Sequence, residues 1–190
     1  MDAPTPHPTS PRLVSAQGVV LRRHREDDLA AIVAQCRDEG MRRWTMVPSP
    51  YHEADARWFL DHVSTGWETG ALAAFAIEVD GVFAGSVDLR LQQGRWAEIG
   101  YGLGPWARHR GVMTEAVTTL LDWAFPALEL AGIEWRAVVG NWPSRRVAEK
   151  CGFRVEGTVR GLLVHRGERL DGWIGTRLAT DPVPALVPRD

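Results

Sequence analysis

Apolar and polar positions follow two different periods along this chain, and the switches between them predict a mixed fold. Val19, Val20 and Leu21 make a short β candidate. Glu26, Asp27 and Asp28 follow, acidic residues of the kind that favour a helix N-terminus. Leu29, Ile32, Val33 and Cys36 then recur at helical spacing, and Gly40 is expected to end that helix. The stretch 41–48 has no clear period and mixes charge with large apolar groups, so it reads as a connector or functional loop. A second helix is expected over 51–69 from Ala54, Trp58, Phe59 and Val63, stopping at Gly66 or Gly70. Segments 73–79 and 82–90 read as strands joined by a tight turn at Asp80 and Gly81, and 96–103 as a third. The clearest helix is 112–125, with Val112, Ala116, Leu120 and Leu121 on one face and Pro126 closing it. A strand over 133–139, a short helix over 145–151 begun by Pro143 and Ser144 and capped by Gly152, and strands over 153–160 and 169–176 complete the pattern. The order β-α-α-β-β-β-α-β-α-β-β, without repeat or linker, predicts an α/β (α+β) fold: one mixed, mostly antiparallel sheet flanked by helices. Its expected bounds are 17–178, with tails at 1–16 and 179–190.

Composition narrows the classes of function. The 190 residues suit one domain, and 45% apolar content excludes disorder throughout. A net charge of -2 gives no reason to expect a polyanion, so nucleic acid is not an expected partner. No run approaches ~18 apolar residues and the N-terminus lacks a signal-peptide core, so neither a membrane span nor secretion is expected. Cys36 and Cys151 belong to no CxxC, which argues against a disulfide scaffold and for a cytoplasmic protein. No metal is expected. Of the 22 basic residues 21 are arginine, and the 9 tryptophans can line a cleft or fill a core. Exposed strands or tryptophans can support a homodimer.

Three features carry candidate chemistry. A loop with Arg108, Arg110 and Gly111 follows strand 96–103 and feeds helix 112–125, aiming free backbone N–H groups at one small volume, which suits a phosphate or pyrophosphate. Gly111 permits close approach. The GxxxxGK[ST] pattern is absent, and the glycines at 100, 102 and 104 lack dinucleotide-loop spacing. Asn141 and Ser144 sit between a strand and a short helix; Asn141 can bond an amide in a ligand, and Ser144 offers a hydroxyl, although capping alone would also explain it. Glu98 lies in the strand before the anion loop and Asp88 in the strand before that. Either can serve as general base, or face solvent by strand alternation.

Taken in order and at these separations, segments 96–103, 108–116 and 141–157 resemble the GNAT superfamily of acyl-CoA-dependent N-acyltransferases, and within it the ribosomal-protein N-terminal acetyltransferase (RimJ/RimL type) branch. The resemblance runs from about 19 to 176. It implies a sheet splayed at the acyl-CoA site, with the pantetheine arm against backbone from Ile99 through Tyr101 to Leu103. Arg108 and Gly111 match the family loop, and Met113 stands where a small residue is usual. With Arg110, Val112 and Thr114 these residues would hold the acetyl-CoA phosphates. Asn141 matches an asparagine that contacts pantetheine, and Ser144 a serine assisting the departing thiolate. A tyrosine used by many relatives is Ala148 here. The implied mechanism is direct attack of a neutral amine on the thioester, with Glu98 the first candidate for base and Asp88 the second.

The resemblance draws the acceptor wall from the first two helices, their connector and the last strands: Arg42, Arg43, Trp44, Met46, Tyr51, Trp58 and His165. Solvated turns and core packing explain the same residues. A small-molecule amine and a protein N-terminus both fit as acceptor, succinyl or another acyl-CoA can replace acetyl-CoA, and a non-catalytic acyl-CoA-binding regulator is the alternative from a different class.

Overall fold

The computed structural model describes residues 10–182. Among them one eight-stranded sheet runs in the order β1-β2-β3-β4-β5-β6-β8-β7. Its strands are β1 (Leu13–Val14), β2 (Val20–Arg22), β3 (Leu72–Val79), β4 (Val82–Gln92), β5 (Trp96–Leu103), β6 (Gly132–Val138), β7 (Arg154–His165) and β8 (Glu168–Leu178). The helices are α1 (Leu29–Arg37), α2 (Glu39–Trp44), α3 (Glu53–Thr69), α4 (Val112–Ala127) and α5 (Trp142–Lys150). Every neighbouring pair is antiparallel except β5 and β6, which α4 connects as a crossover. The mixed, mostly antiparallel sheet flanked by helices is the expected architecture.

The sheet's two faces are set by strand alternation. Phe75, Ile77, Val87, Leu89, Ile99, Ile133 and Trp135 pack on one face against Val117, Leu120 and Ala124 of α4. Burying such side chains stabilises by roughly 1.5–3 kcal/mol each. On the other face Ile32 of α1 and Ala56 of α3 meet Ala76 and Phe83. The α1–α3 layer leaves the middle strands uncovered toward β6, and that bare strip becomes important below.

Several boundaries differ from expectation. The 1–16 tail reaches into the described residues, where Leu13 and Val14 pair with Leu21 and Val20 as β1. Two residues are too few to show a period; Leu13 gains its place by packing on the core. Residues 1–9 and 183–190 lie outside the described residues. Gly40 does not end a helix. Asp38 leaves α1 in an extended conformation and caps α2 by accepting the Met41 N–H (3.2 Å), so the first half of the expected connector is helical. Gly40 is small because a Cβ there would come within 2.9 Å of the Asp38 carboxylate. The left-handed Gly70 ends α3, while Gly66 makes room for Leu72. Pro126 sits inside the last turn of α4, where only one ladder bond is forfeited and the Leu128 N–H still reaches the Ala124 carbonyl. β7 and β8 extend to a tight turn at Arg166 and Gly167, both with positive φ.

One buried ion cluster ties β2 to the helical layer. Asp28, 2% exposed, accepts both terminal nitrogens of Arg22 (2.7 and 2.8 Å) and the Arg25 N–H, while Arg22 Nε reaches Glu78 (2.6 Å). Desolvation pushes the Asp28 carboxyl up, but the Arg22 and Arg25 hydrogen bonds outweigh it and hold it below 3.8. A depressed carboxyl contributes stability above its unfolded value that is lost as pH falls through the folded one. Asp28→Ala strands Arg22, so a loss of about 3–5 kcal/mol is expected in urea unfolding at pH 7, with a shallower dependence on pH below about 4 than wild type. Equal slopes would reject the assignment.

Candidate functional site

The sheet opens between β5 and β6. They pair only from Trp96 to Ile99 against Gly132 to Trp135. Beyond that point Gly100–Leu103 stay with β4, and Arg136–Val138 stay with β8. The Gly104 N–H bonds the Ala84 carbonyl on β4, so alternation turns the main-chain groups of Tyr101 and Leu103 toward the gap. A polar chain slotted there finds peptide groups that no neighbouring strand occupies.

At the upper end of the gap lies the start of α4. Gly111 adopts φ 75 and supplies no side-chain cap. The first helical bond is Glu115 N–H to the Gly111 carbonyl, which leaves the N–H groups of Val112, Met113 and Thr114 directed outward. The Val112 and Met113 side chains are buried in the core, so Met113 points away from the loop and does not crowd it. Arg108 departs from its expected role as a phosphate contact. Its guanidinium bonds Asp38 (2.5 Å) and the Leu103 carbonyl (3.1 and 3.3 Å). Desolvation raises the Asp38 carboxyl, but Arg108 and the Met41 N–H outweigh it and hold it low. Arg108 therefore ties α2 to the loop, while Arg110 is exposed with Asp80 at 4.0 Å.

At the apex of the gap three elements converge on Ser144. The Asn141 side chain caps α5 by accepting the Ser144 N–H (3.3 Å), which frees the Ser144 hydroxyl from capping. Trp135, 1% exposed on β6, donates its indole N–H to Ser144 Oγ (3.1 Å). Ser144 Oγ donates to Tyr101 Oη (3.2 Å), and Tyr101 donates to the Ser144 carbonyl (2.8 Å). The sequence offered Tyr101 for its backbone and gave Trp135 no role. The cysteines take no part: burial pushes the Cys36 and Cys151 thiols up to about 11 and about 12.

On the opposite face, in the strip left bare by α1–α3, Asp88, Glu98 and Glu134 sit among Arg90 and Arg136. Glu98 bonds Arg90 (3.1 Å) and lies 4.0 Å from Arg136, while Arg136 Nε reaches Glu134 (2.5 Å). Asp88 is 3.8 Å from Arg90 and pairs across the strands with Gly100. A Cβ at Gly100 would meet Asp88 Oδ2 at 2.9 Å, so that glycine clears the carboxylate's position. Desolvation pushes the Asp88 carboxyl up to about 6, with Arg90 opposing and Glu98 adding to the rise. Its side chain keeps 30% exposure, so it remains reachable. The two candidates are thus unequal. Glu98 is held by arginines, and Asp88 is poised near neutrality.

α2 crosses this face. Met41 lies against Gly102, and the Trp44 ring comes within 3.7 Å of the position a Gly140 Cβ would take. Arg43 stacks over Trp44 (4.7 Å). Arg166 at the β7–β8 turn donates to the carbonyls of Arg42 (3.3 Å) and Val47 (3.1 Å), and beside it the half-buried His165 keeps Nε2 without a partner. Of the expected acceptor residues, Trp44 approaches the end of β6 at Gly140, Arg43 stacks on it, and Arg42 and Met46 are exposed. Two acceptor expectations are corrected. Tyr51 is 6% exposed and packs in the core with Ile32 and Cys36. Trp58 lies on the outer face of α3, stacked on His62. Tyr51 precedes α3, and the buried face of that helix runs through Ala56, Val63 and Trp67 rather than through the expected Ala54 and Trp58. Among the described residues no group of three His, Cys, Asp or Glu could hold a metal, and no helix is long and apolar enough to cross a membrane.

Residues 19–154 match the family model described as an acetyltransferase (GNAT) domain. A curated relative from Bacillus subtilis (strain 168), "Putative ribosomal N-acetyltransferase YdaF", is 40% identical over 89 residues, 45% of this chain and 49% of that protein. The chain spans about half the length of the curated relatives it matches. Among solved structures, Mycobacterium smegmatis RimJ in complex with CoA-disulfide is similar at TM-score 0.78 and 26% identity, over 89% of this chain and 86% of that one. The microcin C7 self-immunity acetyltransferase MccE, in complex with acetyl-CoA and AMP, reaches 0.77 at 17% identity, over 84% and 92%. The second likeness speaks for the fold alone.

Proposed function

The chain belongs to the acetyltransferase (GNAT) domain family, and from that premise we propose that it is an acyl-CoA-dependent N-acyltransferase moving acetyl from acetyl-CoA to a primary amine. The observation that carries this reading is the open β5–β6 gap, with unpaired helix N–H groups at one end and Ser144 and Asp88 on either side of its apex.

The residues divide the work as follows. The N–H groups of Val112, Met113 and Thr114, beside Gly111, bind the pyrophosphate, and Arg110 adds a positive charge nearby. Backbone of Tyr101 and Leu103 pairs with the pantetheine amides, and the Asn141 side-chain amide is placed at the same edge. Asp88 takes the amine's proton, directly or through one water, while the nitrogen attacks the thioester carbonyl carbon. The C–N bond forms, the C–S bond breaks, and Ser144 Oγ hydrogen-bonds the departing thiolate. Glu98 holds Arg90 and Arg136 in place and is a positioning residue in this scheme.

We take the acceptor to be the α-amine of a polypeptide, as in the ribosomal N-terminal acetyltransferase branch. Proton transfer to a carboxylate near 6 is about 2 units uphill from an α-amine near 8 and more than 4 from a lysine near 10.4. The partial likeness to the Bacillus protein agrees.

The test is CoA-thiol release from acetyl-CoA over a panel of N-terminal peptides, lysine-bearing peptides and small amines, with succinyl-CoA in parallel. Release with free N-terminal peptides and none with the same peptides N-blocked is the expected result. Release with small amines only would move the acceptor to metabolites. CoA binding without release on any amine would leave a non-catalytic binding protein.

A further inference from the structure

The side chain of Tyr101, like that of Trp135, has no task in the transfer step itself, and both bond to Ser144. Ser144 has a single hydroxyl proton, and in the structure that proton goes to Tyr101 Oη (3.2 Å). Tyr101 in turn spends its own proton on the Ser144 carbonyl (2.8 Å). Trp135 already donates into Ser144 Oγ (3.1 Å), and an indole nitrogen can only donate. In this arrangement Ser144 cannot donate to a sulfur atom, because its proton is engaged elsewhere. Rotation of two O–H bonds changes that. If the Tyr101 proton turns from the carbonyl to Ser144 Oγ, the Ser144 proton is released toward the gap. Ser144 Oγ then receives two hydrogen bonds, from Trp135 and Tyr101, and becomes a stronger donor to an anion.

Resting on the transferase reading above, we propose that Tyr101 is a positioning residue whose hydroxyl reverses its hydrogen bond when the thiolate forms, so that Tyr101 and Trp135 together aim and polarise the Ser144 hydroxyl toward sulfur. No tyrosinate is formed and no covalent bond to the protein is made. The sulfur leaves as a thiolate held by Ser144 O–H and takes its final proton from water, and the amine's proton leaves through Asp88. Burial pushes the Tyr101 phenol well above its ordinary value, so the group stays protonated and keeps a proton to donate. The arrangement also accounts for Ala148: no tyrosine is needed at that turn of α5 when one reaches Ser144 from β5 across the gap. Any tyrosine acting through Ser144 must be silent once Ser144 is gone, and that separates this role from packing.

The experiment is a double-mutant cycle of Tyr101→Phe and Ser144→Ala, with Trp135→Phe as a second removal of a donor to Ser144. Tyr101→Phe keeps the ring and loses only the hydroxyl. In the wild-type background we expect kcat to fall about tenfold, the scale of one hydrogen bond acting on a charged group through a relay, with the acetyl-CoA KM within about twofold. In the Ser144→Ala background the same change should cost less than about twofold. A second readout does not depend on turnover. CoA should bind more tightly as pH rises and its thiol ionises, and Tyr101→Phe should flatten that rise. Equal losses from Tyr101→Phe in both backgrounds, or an unchanged kcat and an unchanged pH dependence of CoA binding, would overturn the proposal. A wild-type protein that releases no thiol with any amine would defeat the transferase reading itself, and the pH dependence of CoA binding would then decide the Tyr101 role alone.

Discussion

Asp88→Asn leaves a folded protein that binds acetyl-CoA normally and turns over about 10²–10⁴-fold more slowly at pH 7, the range expected when a general base is removed. The substitution is isosteric, and Asp88 touches neither the α4 N-terminus nor Ser144, so donor affinity has no reason to change. The pH profile makes the assignment specific. In wild type, kcat/KM should fall tenfold per pH unit below about 6, where desolvation has moved this carboxyl. The Asn variant should lack that limb. Stability should move the other way. A carboxyl whose folded value is raised above its unfolded value of 3.8 destabilises the fold at every pH above the folded value. The displacement to about 6 corresponds to about 3 kcal/mol as an upper bound. Slower turnover with a higher melting temperature at pH 7 is therefore the expected pair. Glu98→Gln, by contrast, loosens Arg90, should alter KM for the acceptor more than kcat, and should keep the limb but move it below 6, because Glu98 no longer adds to the rise of the Asp88 carboxyl. If the limb disappears in Glu98→Gln and survives in Asp88→Asn, the roles are reversed.

Gly111→Asp should cost donor affinity and almost nothing in folding. The new carboxylate stands at the N-cap of α4, a position that favours Asp and where the helix dipole welcomes negative charge. Those gains offset the roughly 1–2 kcal/mol of placing a non-glycine residue at φ 75. Aspartate also tolerates left-handed backbone better than most. The same charge faces the volume where the pyrophosphate must sit. At a separation of ~4–6 Å and an effective dielectric near 20, like charges repel by about 3–4 kcal/mol, which is roughly 10²–10³-fold in affinity. Gly111→Asn has the same shape without the charge and should lose less than about tenfold. Calorimetric titration with CoA at low and moderate salt separates the cases, since the Asp–Asn difference should shrink as salt screens it. Equal affinities for the two variants would place the pyrophosphate elsewhere.

The amino-acid pattern by itself determined which segments are strands, which are long helices, and that a loop bearing arginine and glycine precedes α4, because periods of 2.0 and 3.6 and the residues at turns are local properties. It located Glu98, Asp88 and Ser144 but could not rank the carboxylates. Ranking depends on Arg90 and Arg136, and Arg136 reaches Glu98 from a different strand. It missed α2, whose six residues bury no side chain fully and so carry no period; Asp38 is both the end of one helix and the cap of the next. It assigned Arg108 to a phosphate because it could not see Asp38, 70 positions away, at 2.5 Å. It could not tell that Tyr51 lies in the core, since the polar residues around it in sequence carry no burial signal. Only the tertiary structure brings Tyr101, Trp135 and Ser144 into one hydrogen-bonded set across three elements. The reason is physical: hydrogen-bond direction, desolvation and ion pairing act over a few ångströms in space, and the residues that supply them here are up to tens of positions apart along the chain.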